Sequence, residues 1–394
     1  MLIAILAALS LPLLAQKKQI AQAHDYIKSG NNLDKAEQMM TTLLKDSSNR
    51  GNMKIWSTLF EAVKGQYDQG NEKLYLKQQY DTAALFNATY KMFTVLEQMD
   101  SVDAMPDGKG NVKLRYRKSH SEYLDTYRPN LYNGGAYFIS KKNFTRAYQF
   151  FDAYIDCANQ PLFSHYNYIE KDANMPKAAY WASYCGYKEN DPDKTGKHLD
   201  LAFRDSTRGD FLLQFKSEML KQKNDTAGYV AALREGFNRY PSFPFFFPRL
   251  IDFYAAHDML DEALKVADRA LSIDSTNVLY RFTKSTVLLN TGHYDQCIAI
   301  CQKLLAENDT LADAYFNLGL AYFNKAVELD KVAQRQASAR KRITEYYTKS
   351  RPYMERYRQL APDQKQKWAP VLYTIYLNLN MGREFDEIDR LMKK

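Results

Sequence analysis

Three stretches decide the fold: LDEALKVADRALSIDS at 260–275, HYDQCIAICQKLLAEND at 293–309 and ADAYFNLGLAYFNKA at 312–326. Each repeats apolar residues three and four apart, the spacing that gives an α-helix one buried stripe. The first two superimpose at a step of 34, Ala263 on Cys297, and the same step reaches back to Tyr229 and Thr195. A parallel series, Ser183, Ser217, Ile251, Ser285 and Gly319, keeps the same interval. Most members are small, as they must be where two helix backbones come close. A fixed period of this length marks an array of helix-turn-helix units, each burying its apolar face on its neighbours. The first two stretches then read as second helices of successive units, and the third as the first helix of the next.

Working outward, NLYNGGAYFISKKNFTRAYQFFDAYID at 130–156 places Gly135 and Ala147 twelve apart, as in the later units. From Ala147 to Thr195 is 48, a surplus of 14 that fits an inserted loop at 161–175. Downstream, if Pro362 ends a unit, its packing position falls at Ser350, 53 from Cys297. That surplus of 19 reads as a basic helical insertion over 331–358. A last repeat then runs from Trp368 to the charged FDEIDRLMKK, a polar capping helix over the end of 359–394. Toward the N-terminus, a hairpin with a turn at Asn31-Asn32 puts Ala36 at the small position, and 53–103 continues helical without the period. MPDGKGN at 105–111 is the clearest breaker cluster, so 105–127 is expected to be a loop and connecting segment. The regular array is expected over 128–330, and irregular repeats over 16–104.

On these residues the chain resembles the tetratricopeptide repeat (TPR) family, over most of 128–394 and more weakly over 20–104. The resemblance implies an all-α fold, a right-handed α-solenoid of TPR-type helix-turn-helix repeats. It also implies a non-catalytic scaffold whose partners are other proteins. In that family a concave groove is lined by fixed first-helix positions. They fall here on Tyr132, Tyr180, Tyr184, Tyr187, Lys188, Phe211, Lys221, Phe245, Asn290, Phe323 and Asn324. Phe282 and Phe316 occupy such positions too and read equally as inter-helix core. The Lys and Asn of the family's two-carboxylate clamp are replaced by Tyr180, Gln214, Pro248 and Phe282, which disfavours chaperone C-termini as ligands.

Composition agrees with helix: 45% of residues are hydrophobic, with only 16 Gly and 12 Pro, so strands and disorder are both disfavoured. Net charge is +8. Residues 331–358 hold nine Lys or Arg against Glu345 and Glu355, which is +7 of it. The basic patch is Lys331, Arg335, Arg340, Lys341 and Arg342, with Lys331, Arg335 and Arg342 expected on one helical face. It offers a second reading, an architectural protein docking on an acidic partner or on anionic envelope lipid. No HExxH, GxSxG or flanked phosphate loop occurs, and six scattered histidines lack metal-ligand spacing. No metal, no cofactor and no nucleic-acid partner are expected.

Residues 2–14 are apolar except Ser10 and Pro12, about the length of a signal-peptide core and too short to span a bilayer. Leu13 and Ala15 suit cleavage after Ala15, although no Lys or Arg precedes the run. Export to the periplasm of a Gram-negative cell is therefore expected, with peripheral envelope contact and no transmembrane span after signal removal. A buried first helix is the alternative. Cys297 and Cys301 lie one turn apart on one helix; Cys157 and Cys185 sit on successive units and read first as small apolar packing residues, with a disulfide between them as the alternative.

Overall fold

The computed structural model describes residues 2–332 and 337–393, and every regular element among them is helical. The chain forms two compact units, Met1–Tyr229 and Val230–Lys394, a division that falls inside what the sequence presents as an unbroken array. The first unit comprises α1 (Leu2–Ser29), α2 (Leu33–Lys45), α3 (Met53–Tyr75), α4 (Thr82–Asp103), α5 (Arg117–Ser140) and α6 (Phe144–Asp156). It continues with the single-turn α7 (Tyr168–Lys171), then α8 (Met175–Lys188), α9 (Pro192–Lys197), α10 (Leu199–Ala202) and α11 (Gly209–Gln222). Helix α12 (Thr226–Arg239) crosses the boundary. The second unit holds α13 (Phe246–Ala256), α14 (Leu260–Ile273), α15 (Val278–Asn290), α16 (Tyr294–Glu307), α17 (Ala312–Val332), α18 (Ala337–Leu360), α19 (Lys365–Asn378) and α20 (Gly382–Met392).

Within each unit a long helix packs on its successor, and first helices of neighbouring hairpins also touch: α1 on α3 and α8 on α11 in one unit, α15 on α17 and α17 on α19 in the other. This is the all-α, TPR-type arrangement. It depends on close approach at the small positions. A Cβ on Gly135 would stand 2.6 Å from the Phe151 ring, and one on Gly186 only 2.4 Å from the Thr195 backbone nitrogen. Ala147, Thr195, Tyr229, Ala263 and Cys297 are all buried, as are Ser183, Ser217 and Ser285. Ile251 is half-buried, the one member of either series that leaves the core.

The turns inside hairpins repeat as faithfully. Asn190, Asn224, Asp258 and Gly292 adopt positive φ (54°, 57°, 56° and 76°) and lie 34 residues apart. At Asn224 the amide donates to Lys221 O (3.0 Å), and the next amide, of Asp225, donates to Leu220 O (2.9 Å). Asp258 and Gly292 repeat that pair of bonds. Such a left-handed residue caps the last carbonyls of the first helix and turns the chain back. The series is visible in the sequence as Asn, Asn, Asp and Gly, the residue types that tolerate this conformation.

Three expectations require correction. Helix α5 begins at Arg117, so the connecting segment is 105–116 and not 105–127. The regular array is expected to start at 128, but the helix begins eleven residues earlier and carries Pro129 in its interior. Arg128 is held in place from outside. It is 5% exposed, its guanidinium lies 3.8 Å from the Tyr154 ring and 3.7 Å from the Tyr168 ring, and Nη1 meets Asp172 at 2.6 Å. The same contacts organise the 161–175 insertion, which is no loose loop: Leu162, Phe163 and Tyr168 are buried in it.

The third correction concerns 331–358. Among its described residues this stretch completes one helix and forms most of the next. Helices α17 and α18 are lengthened partners of one antiparallel hairpin, with Phe316 against Tyr357 (4.9 Å) and Phe323 against Tyr347 (5.8 Å). The expected packing residue is where the period puts it: Ser350 is buried and its hydroxyl donates to Gly319 O at 2.6 Å. Lys331 and Arg342 therefore sit on two different helices and share no helical face; Arg335 lies outside the described residues. All four cysteines are free and buried, Cys157 and Cys185 included. Helix α1 runs through position 15 without a break, and no helix among the described residues is long and apolar enough to cross a membrane.

Two expected outcomes follow from this packing. A Cβ on Gly319 would stand 2.6 Å from the Met354 sulfur, so Gly319→Leu should overpack the α17–α18 contact and cost about 1–3 kcal/mol, read as a lowered thermal midpoint. The second concerns Glu97, whose carboxyl is pushed up to about 8, chiefly by burial and further by the charge of Asp156. With the folded value above the ordinary 4.5, its contribution to stability is full below about 4.5 and is lost as pH rises toward 8. Glu97→Gln should therefore gain on the parent between pH 5 and pH 9, measured as a widening difference in melting temperature.

Candidate functional site

The best-defined cluster of surface aromatics lies in the first unit, where α8 faces α11. Tyr180, Tyr184 and Tyr187 recur at four and three residues, so one face of α8 carries all three. Their rings converge on Phe215 of α11, at 5.8, 6.1 and 4.8 Å between centroids. Gln214 donates from Nε2 to the Tyr187 hydroxyl at 3.0 Å, fixing the polar tip of that ring. Trp181 packs edge-on to Tyr180 and Tyr184, at 5.0 and 5.5 Å. The exposed Arg208 stacks its guanidinium over Tyr180 (4.5 Å) and Trp181 (4.9 Å). Burial pushes the Tyr180 phenol up from its ordinary range, against the pull of Arg208.

The cluster is graded in depth. Phe215 and Tyr180 are buried, Tyr184, Tyr187 and Trp181 are half-buried, and Phe211 is exposed beside Phe215 at 6.5 Å. Lys188 is exposed at the end of α8, with its ammonium 5.8 Å from the Phe144 ring. A rigid aromatic floor with a cation at its edge gives contact area at low entropic cost and one fixed charge for orientation.

Not every expected groove residue joins it. Tyr180 joins it only as its buried floor, packed by Trp181, Phe215 and the Arg208 guanidinium. Tyr132 packs within its own hairpin, on Phe151 (5.4 Å) and Tyr154 (5.7 Å), and does not prolong the tyrosine ladder. Lys221 is exposed and lies 5.8 Å from the Tyr229 ring. In the second unit Phe245 is buried beneath Arg249, 3.7 Å above its ring, which makes it core as well. Asn290 is exposed at the end of α15, while Asn324 and Phe323 are half-buried, Phe323 against Tyr347. Phe316 is half-buried against Tyr357, whereas Phe282 lines an apolar cleft of about 360 Å³ with Val278, Leu279 and Leu311. Lys331, Arg340, Lys341 and Arg342 are exposed.

Sequence reasoning missed Phe215, Trp181 and Arg208. Phe215 was within reach, since it follows Phe211 by one helical turn and so extends the same face. Arg208 precedes α11 in a single 3-10 turn, Ser206–Arg208, that no periodicity marks. Among the described residues no group of three or more His, Cys, Asp or Glu is placed to hold a metal ion.

No family model matches the sequence, and no curated protein matches it. Solved structures similar to it include the C-terminal part of a TPR repeat-containing protein from Cytophaga hutchinsonii, 12% identical, with a TM-score of 0.44 over 65% of this chain and 92% of that one. Yeast Tom70 is 13% identical, with a TM-score of 0.31 over 91% of each chain. The fold assignment rests on the hairpin geometry described above.

Proposed function

We propose that the chain is a non-catalytic scaffold that holds an extended peptide or a helix of a partner protein on the aromatic face of α8 and α11. The carrying observation is the graded cluster itself. Tyr184, Tyr187 and Trp181 are half-buried, Phe211 is 42% exposed, and Arg208 supplies a cation at the rim. A partner segment with apolar side chains at alternating or helical spacing and a carboxylate near Arg208 fits that chemistry. The reading includes export to the cell envelope, supported by the apolar run at 2–14 and the small Ala15 before Gln16-Lys17-Lys18. A second reading, docking on an acidic partner through Lys331, Arg340, Lys341 and Arg342, is supported by their exposure without an ion pair among the described residues.

Capture of the partner from envelope extracts tests the first reading. Tyr184→Ala should weaken capture by about 1–2 kcal/mol, roughly 5–30-fold, while the helical signal and melting transition persist. Unfolding of the unit without a separable binding defect would make Tyr184 core. Unchanged capture would move the site elsewhere. Export is checked by mass spectrometry of the isolated protein, which should begin at Gln16; an intact Met1 on cytoplasmic material sinks that part.

A further inference from the structure

The connection between α4 and α5 differs in kind from the hairpin turns. Residues 105–116 expose Met105, Val112, Leu114 and Tyr116, at 57, 52, 44 and 40% of their surfaces. Between them stand Lys109, Lys113 and Arg115, also exposed. The only acid of the segment, Asp107, is exposed, with Oδ1 accepting from the amides of Lys109 and Asn111, each at 2.9 Å. Three cations against one such carboxylate leave the tip basic as well as apolar.

The loop is also held. Asp107 N donates to Asn111 O (2.9 Å) and Gly110 N to Asp107 O (2.8 Å), closing the tip, with Gly110 at φ 80°. At the stem, Asp103 accepts from the amides of Arg115 (2.5 Å) and Tyr116 (3.1 Å), while Asp100 pairs with Arg117 through two bonds of 2.8 Å. The Tyr116 ring stacks on His120 at 5.5 Å. Large apolar side chains displayed on a fixed loop mark an interaction surface. Pairing with a partner's strand is disfavoured, because the amides of Asn111, Arg115 and Tyr116 are already bonded and only 112–114 remain, too short an edge.

Apolar groups interleaved with cations are what the interfacial zone of an anionic bilayer accepts: the apolar side chains sink to the acyl boundary and the cations stay at the headgroups. We propose that 105–116 is a docking loop for an anionic lipid surface, with Met105, Val112 and Leu114 entering the interface and Lys109, Lys113 and Arg115 meeting the phosphates. It is independent of the aromatic face of α8 and α11 and of the cations on α17 and α18.

The test uses the full chain with vesicles of phosphatidylglycerol and phosphatidylcholine, against phosphatidylcholine alone. A nitrobenzoxadiazole dye on Leu114→Cys reports the loop, since the four native cysteines are buried. The dye should shift to the blue with anionic vesicles only, and more weakly at high salt. Lys109→Glu with Lys113→Glu should lower vesicle partition at least tenfold, and Val112→Ser with Leu114→Ser should also weaken it. Lys341→Glu with Arg342→Glu should leave the dye shift in place. Absence of vesicle binding, partition unchanged by the loop reversal, or binding with an unshifted dye would each overturn the proposal. A dye shift with polyglutamate but not with vesicles would overturn it in favour of an acidic protein partner.

Discussion

These hairpins depend on the close approach of two helix backbones, tight enough at three glycines that an atom of the second helix stands where a Cβ on the first would be. Gly135 against Phe151, Gly186 against the Thr195 backbone and Gly319 against Met354 are three instances of the same contact. Where the first helix offers serine instead, the hydroxyl is turned back onto its own helix, as Ser217 to Gln214 O and Ser285 to Phe282 O. At those two positions the residue is kept small and its polarity is satisfied locally, whereas the buried Ser183 hydroxyl has no partner and close packing there costs an unpaired group. Because each contact joins neighbours in sequence, a unit is assembled from similar local solutions rather than from one long-range core.

Arg128 is the exception in the first unit. It draws together α5, α6, the single-turn α7 and the start of α8 through partners up to 47 residues away. A buried guanidinium is costly to desolvate, and two tyrosine faces, one carboxylate and the Tyr154 carbonyl offset that cost. Its Nε has no partner, so the compensation is incomplete. Such a site contributes by fixing one arrangement of the insertion more than by adding stability, since an apolar replacement of similar shape can be as stable.

What could be read from the sequence was what repeats locally. The register was legible down to single residues: Ser350, placed by counting back from Pro362, does pack on Gly319. The onset of α5 was not, because its first turns at 117–127 lie outside the repeat pattern, and Arg128, inside the helix, is held by Asp172, far along the chain. Lengthening of α17 and α18 was mistaken for an insertion, since a helix extended by whole turns and a segment added between repeats leave the same surplus in residue count. The tyrosine face of α8 was legible as a face, but its depth was not. Spacing places Tyr180 and Tyr184 together, and only the three-dimensional surroundings of Trp181 and Phe215 bury one and leave the other half open.

The left-handed turns bear on how such a chain can vary in length. At Asn190, Asn224, Asp258 and Gly292 two backbone bonds and one positive φ are counted from the end of the preceding helix. Adding or removing a residue there would break both bonds and misalign the close contact five residues on. The connections that lead from one hairpin to the next have no such count to keep, and 161–175 shows one that has grown its own small core. Whole helical turns added to both arms, as in α17 and α18, are the other tolerated form. Gene-level insertions and deletions should thus accumulate between hairpins or as paired extensions of their arms, leaving the tight bends as the fixed frame of the lineage.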